Sequence, residues 1–377
     1  MIAGGVIHLF YEYVGEIENM DKQIGVQRLS SQQVVGSMLG SAQGVAHWMG
    51  AIQAQDYKQT LWAIGVRMQQ PDLSAVESAI VDGQIVRIWS QRGTIHFIPS
   101  VNIKWMLELC ASRTLAGHGR RMKQLELTDA IMGQSGALIG NKLAGGQSLT
   151  RSEIFEVLEA GGISTAGQRG YHILWHLAHQ GLICMTEQAG RYARFALVDE
   201  WVTDIHDYTH DEALAYLAET YFVSHGPATD YDFARWSGLT LTDTRKGIEL
   251  AGSILSSYDH DDMTYWFNES VVNFVRPEQT VCLLPAYDEY LLGYKDRSHV
   301  LDDEFADHVC PGNNGVFQPM IVVDGQIVGI WKRKLKAKSI DIELYPFTTL
   351  GDARDAVMAE AERYSEFMGL SVTIKEG

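Results

Sequence analysis

The chain has 377 residues, enough for two or three domains at roughly 150 residues each. With 46% hydrophobic and 20% charged residues it has globular composition, which excludes wholesale disorder, and its net charge of −17 excludes a protein that coats nucleic acid with its whole surface. No apolar run reaches the roughly 18 residues of a membrane span, and the opening MIAGGVIHLFYEYVGEIENM carries acids where an export signal needs a basic start and an apolar core.

Residues 1–19 precede the first patterned helix and read as an extension. Two helices are expected over Ser31 to Ala51, then a break from Gln53 to Gln59 and a helical LWAIGVRM. Another helix follows Pro71 and runs through Ile80. IVRIWSQRGTIHFIP then alternates like a strand pair with a turn at Gln91–Gly93. The clearest section is Leu149 to Val198. Thr150 and Glu153 form a capping box before IFEVLEAGG, a second helix carries Ile173, Leu174 and Leu177, and LICMTE and RYARFALV form two strands around QAG. Helix, helix, hairpin is the order of a winged helix, whose second helix would present Gln168, Arg169 and His172 to a DNA groove.

The order returns further on, with a helix from Asp211 to Val223, one capped by Thr229, one opened by Thr242, and a hairpin in SILSSYDHDDMTYWFN. From Thr280 to Phe347 strands dominate, VVDGQIV marks a two-residue hairpin turn, and a helix from Gly351 to Gly369 closes the pattern. The expected fold class is therefore α+β: three tandem winged-helix domains and a small C-terminal β-barrel. Its expected parts are 1–19, 20–125, 126–203, 204–278, and 279–377.

Charge is uneven along the chain. Arg87 to Lys123 holds seven bases against one acid, KRKLKAK at 332–338 holds five cations, and Asp199 to Asp262 holds fourteen acids against three bases. The basic stretches fit either a polyanion-binding face or solvated surface. Four scattered cysteines lack the spacing of a zinc ribbon or a disulfide framework, which fits reduced thiols in a cytoplasmic protein. No H-E-x-x-H, phosphate-binding loop or dinucleotide fingerprint occurs, so no metal or other cofactor is expected.

Four stretches together resemble one family: IQAQDY (52–57), RGTIHFIP (92–99), TAGQRGYHILWHLA (165–178), and YDEYLLGYKDRS (287–298) with NGVFQPMIVVDG (314–325). They are similar to the bacterial winged-helix DNA glycosylases related to AlkZ. The resemblance implies tandem winged helices around duplex DNA and hydrolysis of the N-glycosidic bond of alkylated purines, including bulky adducts and interstrand crosslinks. It also implies that the family's Gln–apolar–Gln catalytic motif falls on Gln53-Ala54-Gln55. Without it, Gln53 and Gln55 would pass as polar residues of a helix–helix loop.

Residues i and i+2 share a side only in extended chain, so the two glutamines converge only where helix has ended. Their amides cannot act as general bases near neutrality, but they can position and polarise a water. A purine alkylated at N7 or N3 is cationic and leaves as a neutral base, so it needs no acid, and amide dipoles would steady the oxocarbenium-like transition state. Asp288 and Glu289, inside an apolar strand-like run, are either a base, groups orienting the site, or a structural pair bonded to arginine or backbone. Lys295 and Arg297 are the nearest candidate partners. Arg87, Arg92 and His96 are candidate DNA or lesion contacts. Lys332, Arg333, Lys334, Lys336 and Lys338 are candidate phosphate contacts. The expected protein is a monomeric glycosylase acting on double-stranded DNA with alkylated bases, without a membrane or nucleotide partner. The alternative is a non-catalytic winged-helix protein, either a transcription regulator or a lesion-binding scaffold.

Overall fold

A computed structural model describes residues 23–189, 192–272 and 279–377. The expected extension at 1–19 lies outside them, as does Gly190 of the QAG turn.

The first part runs α1 (23–31), α2 (Ala42–Met49), β1 (Ile52–Gln53), α3 (Tyr57–Gly65), α4 (Leu73–Val81), β2 (Ile85–Trp89), β3 (Ile95–Pro99), α5 (Ile103–Gly117) and α6 (Gly119–Gln124). The break after α2 is thus a short strand, and α3 starts four residues earlier than expected because Asp56 caps it, accepting the Gln59 N–H. Only one helix, not two, lies wholly within Ser31 to Ala51, since α1 ends at residue 31.

Next come α7 (Asp129–Leu143), β4 (Leu149–Thr150), α8 (Arg151–Ala160), α9 (Arg169–His179), β5 (Ile183–Ala189), β6 (Tyr192–Leu197) and α10 (Val198–Trp201). The Thr150–Glu153 capping box is formed at the start of α8. The chain continues with α11 (His210–His225), α12 (Asp230–Ser237), α13 (Leu241–Ala251), β7 (Ser256–His260), β8 (Met263–Phe267) and α14 (Glu269–Val272). Thr229 caps α12 as expected, whereas α13 is capped by Thr240, just before Thr242.

The last part is β9 (Val281–Leu284), α15 (Glu289–Leu292), α16 (Ala306–Val309), β10 (Met320–Val323), β11 (Gln326–Leu335), β12 (Ser339–Pro346), α17 (Arg354–Phe367) and β13 (Ser371–Glu376). Asp324 and Gly325, both at positive φ, make the two-residue turn between β10 and β11. The five strands pair in the order β13-β12-β11-β10-β9, and among the described residues this sheet is open, so the expected barrel is not closed. Its edge strand β13, parallel to β12, follows α17 and has no counterpart in the expected pattern.

Packing cuts across the sequence units. A six-stranded sheet runs β1-β3-β2-β5-β6-β4, so the hairpins of the first two units meet where Arg87 pairs with Met185. One core joins this sheet to α5, α9, α11 and α12. A second core packs α2, α3 and α4 against the C-terminal sheet and α17. Trp62 exemplifies it: its ring meets Tyr364 and Phe367, and its indole N–H donates to the Leu283 carbonyl at 2.7 Å. The result is a mixed α+β fold in which β1 lies on the seam, with Ala51 in one core and Ile52 in the other. Among the described residues no helix is long and apolar enough to cross a membrane.

Candidate active site

Helix α2 ends at Gly50, whose φ of 70° suits glycine, and a side chain there would also meet Thr220 of α11 at 2.8 Å. The chain then extends. Ile52 and Gln53 pair with Phe97 and His96 of β3, and the Ala54 N–H continues the ladder to the Ile95 carbonyl at 2.7 Å. Gln53 therefore sits on extended backbone, the non-helical setting that convergence requires, and the chain bends at Gln55 before α3 begins. Gln55 is exposed, and its Oε1 stands 3.5 Å from the Ile95 nitrogen; Gln53 is only 9% exposed.

Two groups from distant parts of the chain hold this segment, and a third stands close by in α3. The Gln53 N–H donates to Glu289 Oε1 at 2.7 Å. Arg87 donates from Nε and Nη2 to the Ala54 carbonyl, at 3.1 and 2.8 Å. Thr60 Oγ1 donates to the Gln53 carbonyl at 3.3 Å. Arg87 is thus buried and turned inward, with burial drawing its pKa down to about 10, and it steadies the glutamine segment rather than presenting a cation to solvent.

Asp288 and Glu289 are not on a strand: Asp288 caps α15 and Glu289 is its first residue. Both are buried. Asp288 takes a two-pronged ion pair from Arg67, at 2.9 and 2.8 Å, so its partner is neither Lys295 nor Arg297. Arg67 also donates to Gln32, which donates to the Tyr294 hydroxyl, which donates to the His225 carbonyl. Glu289 Oε2 accepts the Trp236 indole N–H at 3.1 Å and lies 3.9 Å from His225 Nε2, beyond hydrogen-bond reach. Burial pushes the Glu289 carboxyl up, but the nearby His225, His96 and Arg92 outweigh it and hold it below the usual carboxylate range. The carboxylate thus ties α12, α15 and β1 together as an ionised acceptor.

His96, paired opposite Gln53, has no exposed surface; its Nδ1 bonds Ser90 Oγ at 3.0 Å, and burial lowers its pKa to about 3. As folded it is a neutral packing group and cannot touch DNA directly. Arg92, at a φ of 53°, donates to the Arg235 carbonyl at 2.9 Å and so braces the β2–β3 turn against α12.

At α9, Gln168 stands at the N-cap with a φ of 74° and accepts from Arg121. Arg169 donates to the carbonyls of Ser164 and Leu125. His172 is buried, bonded to His118 at 2.9 Å and to Arg121 at 3.3 Å. All three sit together, with Gln168 Oε1, two Arg169 donors and the His172 ring bonded within the protein. Lys332, Arg333 and Lys334 lie on β11, where Lys332 faces Glu343 and Lys334 faces Asp341 across to β12, and Lys336 and Lys338 follow in the connection to β12. Lys336 pairs with Asp341 at 2.6 Å; Lys332, Lys334 and Lys338 are exposed, and Arg333 is half-buried.

A cleft of about 490 Å³ brings Gln55 to Asp56, Gln59, Tyr287, Phe317, Lys332 and Arg333. Sequence reasoning picked Gln55 and the two cations but missed Gln59, Tyr287, Arg67 and Trp236. Arg67 alone left a signal, as a lone charge between apolar residues in GVRM. Among the described residues no group of three or more His, Cys, Asp or Glu side chains is arranged to hold a metal, and the four cysteines are buried and free.

Comparison with known proteins adds three findings. A family model described as DNA glycosylase AlkZ-like matches residues 46–367. An interstrand DNA cross-link repair glycosylase of Streptomyces sahachiroi is 24% identical over 337 residues, covering 82% of this chain and 87% of that protein. The solved structure of Streptomyces sahachiroi DNA glycosylase AlkZ superposes with a TM-score of 0.77 at 24% identity, covering 94% of this chain and 98% of that one, which establishes the fold.

Proposed function

Because this chain belongs to the AlkZ-like DNA glycosylase family, we propose that it is a monofunctional enzyme that hydrolyses the N-glycosidic bond of purines alkylated at N7 or N3 in duplex DNA. The observation that carries this reading is the non-helical Gln53-Ala54-Gln55 segment, with Gln53 and Ala54 anchored at successive backbone groups and Gln55 lining a cleft. In this reading the Gln53 and Gln55 amide oxygens aim a water at the anomeric carbon. Neither takes a full proton in the step: as the water oxygen bonds to the anomeric carbon, the water's surplus proton passes to solvent. The cationic purine departs with the glycosidic electron pair as a neutral base, and the amide dipoles stabilise the positive charge left on the sugar. An undamaged base, a far poorer leaving group, is spared.

The helix–helix–hairpin units at 20–125, 126–203 and 204–278 are read as winged-helix modules, with 279–377 as the C-terminal module. DNA lies against the face that carries Gln55 and the β11 cations, and the protein acts as a monomer without a cofactor. The related Streptomyces protein is named for interstrand cross-link repair, and crosslinked or bulky purine adducts are accordingly included among the substrates to be tested.

The test is release of free 7-methylguanine from methylated duplex DNA, leaving an abasic site. Wild type is expected to release it, while Gln53→Ala and Gln55→Ala bind the same duplex but lose most of the rate. If wild type liberates no base from methylated, bulky-adduct or crosslinked duplexes, the catalytic reading is wrong and the non-catalytic DNA-binding alternative takes its place.

A further inference from the structure

The cleft beside Gln55 holds polar atoms that the fold leaves unsatisfied. Gln59, on the first turn of α3, is 5% exposed, and its Oε1 has no hydrogen-bond partner. Arg333 Nη1, from β11 across the cleft, is likewise buried and unpartnered. Buried polar atoms are nearly always bonded, so a free acceptor and a free donor lining one cleft mark a place where a ligand completes the set.

Tyr287 forms a third feature. Its φ is 61°, a conformation uncommon for a bulky side chain and costing on the order of 1 kcal/mol or more. The turn immediately precedes Asp288 and Glu289, whose bonds to Arg67 and to the Gln53 N–H anchor the backbone that carries this ring. The ring stays half-buried on the cleft, edge-on to Phe317 at 6.2 Å, and Phe317 in turn carries the Arg297 guanidinium 4.9 Å from its centroid. Asp56 adds a carboxylate to the same wall.

From this set we infer that the cleft receives the damaged purine itself, turned out of the base stack, with Tyr287 as its stacking surface and Gln59 and Arg333 bonding its edge. The inference rests on the glycosylase reading above and extends it from the reacting bond to recognition of the base. A purine's edge offers both donors and a lone-pair acceptor, which suit Gln59 Oε1 and Arg333 Nη1 respectively. An electron-rich ring and a nearby carboxylate favour a cationic base over a neutral one. A phosphate would suit Arg333 but would oppose Gln59 and Asp56, so the lining favours base over backbone.

Two measurements test the site. In the first, 7-methylguanosine, whose purine is cationic while it carries its sugar, and guanosine are titrated separately at pH 6 into the 377-residue protein. Wild type is expected to bind the methylated nucleoside about tenfold more tightly, in line with a cation–π contribution of roughly 1–2 kcal/mol, and Tyr287→Leu and Gln59→Ala are expected to lose that preference. In the second, base release under single turnover should fall about tenfold or more in Tyr287→Leu and Gln59→Ala, with duplex affinity and thermal midpoint close to wild type, and fall less in Tyr287→Phe, which keeps the ring. Equal binding of both nucleosides, or variants that keep the wild-type preference and rate, overturns the inference and leaves the glycosylase reading intact. A wild type that releases no base overturns the glycosylase reading, and the titration still decides whether the cleft holds a cationic purine.

Discussion

The main-chain nitrogen of Gln53 is bound by the Glu289 carboxylate at 2.7 Å, across 236 positions of sequence. That carboxylate also holds the Trp236 indole, so one side chain from the C-terminal part fixes both the glutamine strand and α12. Glu289→Gln removes the charge and turns an amide NH₂ toward one of two N–H donors. Stability should fall by about 1–3 kcal/mol, the range for a buried donor left unmade. Denaturant midpoints report that loss. Single-turnover base release should fall further than duplex affinity, and a variant with a wild-type rate would show that the strand holds its shape without Glu289.

Arg87 supplies a second hold on the same strand. With Arg87→Met the Ala54 carbonyl loses both of its guanidinium bonds while most of the buried stem is kept. Base release should drop while the salt dependence of DNA binding stays constant, because this cation is turned inward. A shallower salt slope in Arg87→Met would mean that it meets phosphate after all.

The Arg67–Asp288 pair has both members shielded from water. Removing one partner strands the other charge, so Arg67→Met or Asp288→Asn alone should cost about 3–5 kcal/mol. The double variant should cost less than the sum of the two. Urea unfolding of all four proteins gives the coupling, and strictly additive losses would refute it.

Acid should weaken the fold through its buried imidazoles. Burial lowers His96 to about 3 and His179 to about 4, from an ordinary value of 6.5, so both stay neutral in the native state. The unfolded chain takes up these protons first. Their contribution is therefore complete above pH 6.5 and declines as pH falls from 6.5 toward 3. Urea midpoints between pH 7 and pH 4.5 should fall steadily, and less steeply in His96→Asn; an unchanged slope in that variant would exclude His96 as a source.

Cations on β11 and in its connection to β12 should differ in their effect on DNA affinity. Lys334 and Lys338 are exposed, whereas Lys336 is held by Asp341. Removing one lysine that neutralises a phosphate lowers the slope of log affinity against log salt by about 0.9. The Lys334→Ala/Lys338→Ala pair is expected to lose nearly two such steps and Lys336→Ala less than one. Titrations at several salt concentrations measure this, and three equal effects would remove the distinction.

Local signals in the sequence carried the order of helices and hairpins well. Capping at Thr150 and Thr229, the Asp324-Gly325 turn and the alternation through β2 and β3 depend on neighbours in the chain, and they are legible there. Asp288 and Glu289 read as strand residues because apolar flanks look alike around a buried strand and a buried short helix. Lys332 and Gln55 share a cleft through tertiary packing, which periodicity does not encode. Nor does Arg87 announce itself as an inward hydrogen-bond donor: its role depends on Ala54, 33 positions away. The motif locates the glutamines; only long-range contacts reveal what grips them.

The second core, in which Trp62 meets Tyr364 and Phe367, has a consequence for biosynthesis. Helix α3, which follows directly on the glutamine strand, packs on its neighbours α2 and α4 and also on α17, far later in the chain. A nascent chain can thus assemble its middle while translation continues, yet the bed beneath the glutamine strand is complete only once α17 has been made. Protein truncated before α17 should therefore lose that support and release no base from methylated duplex DNA.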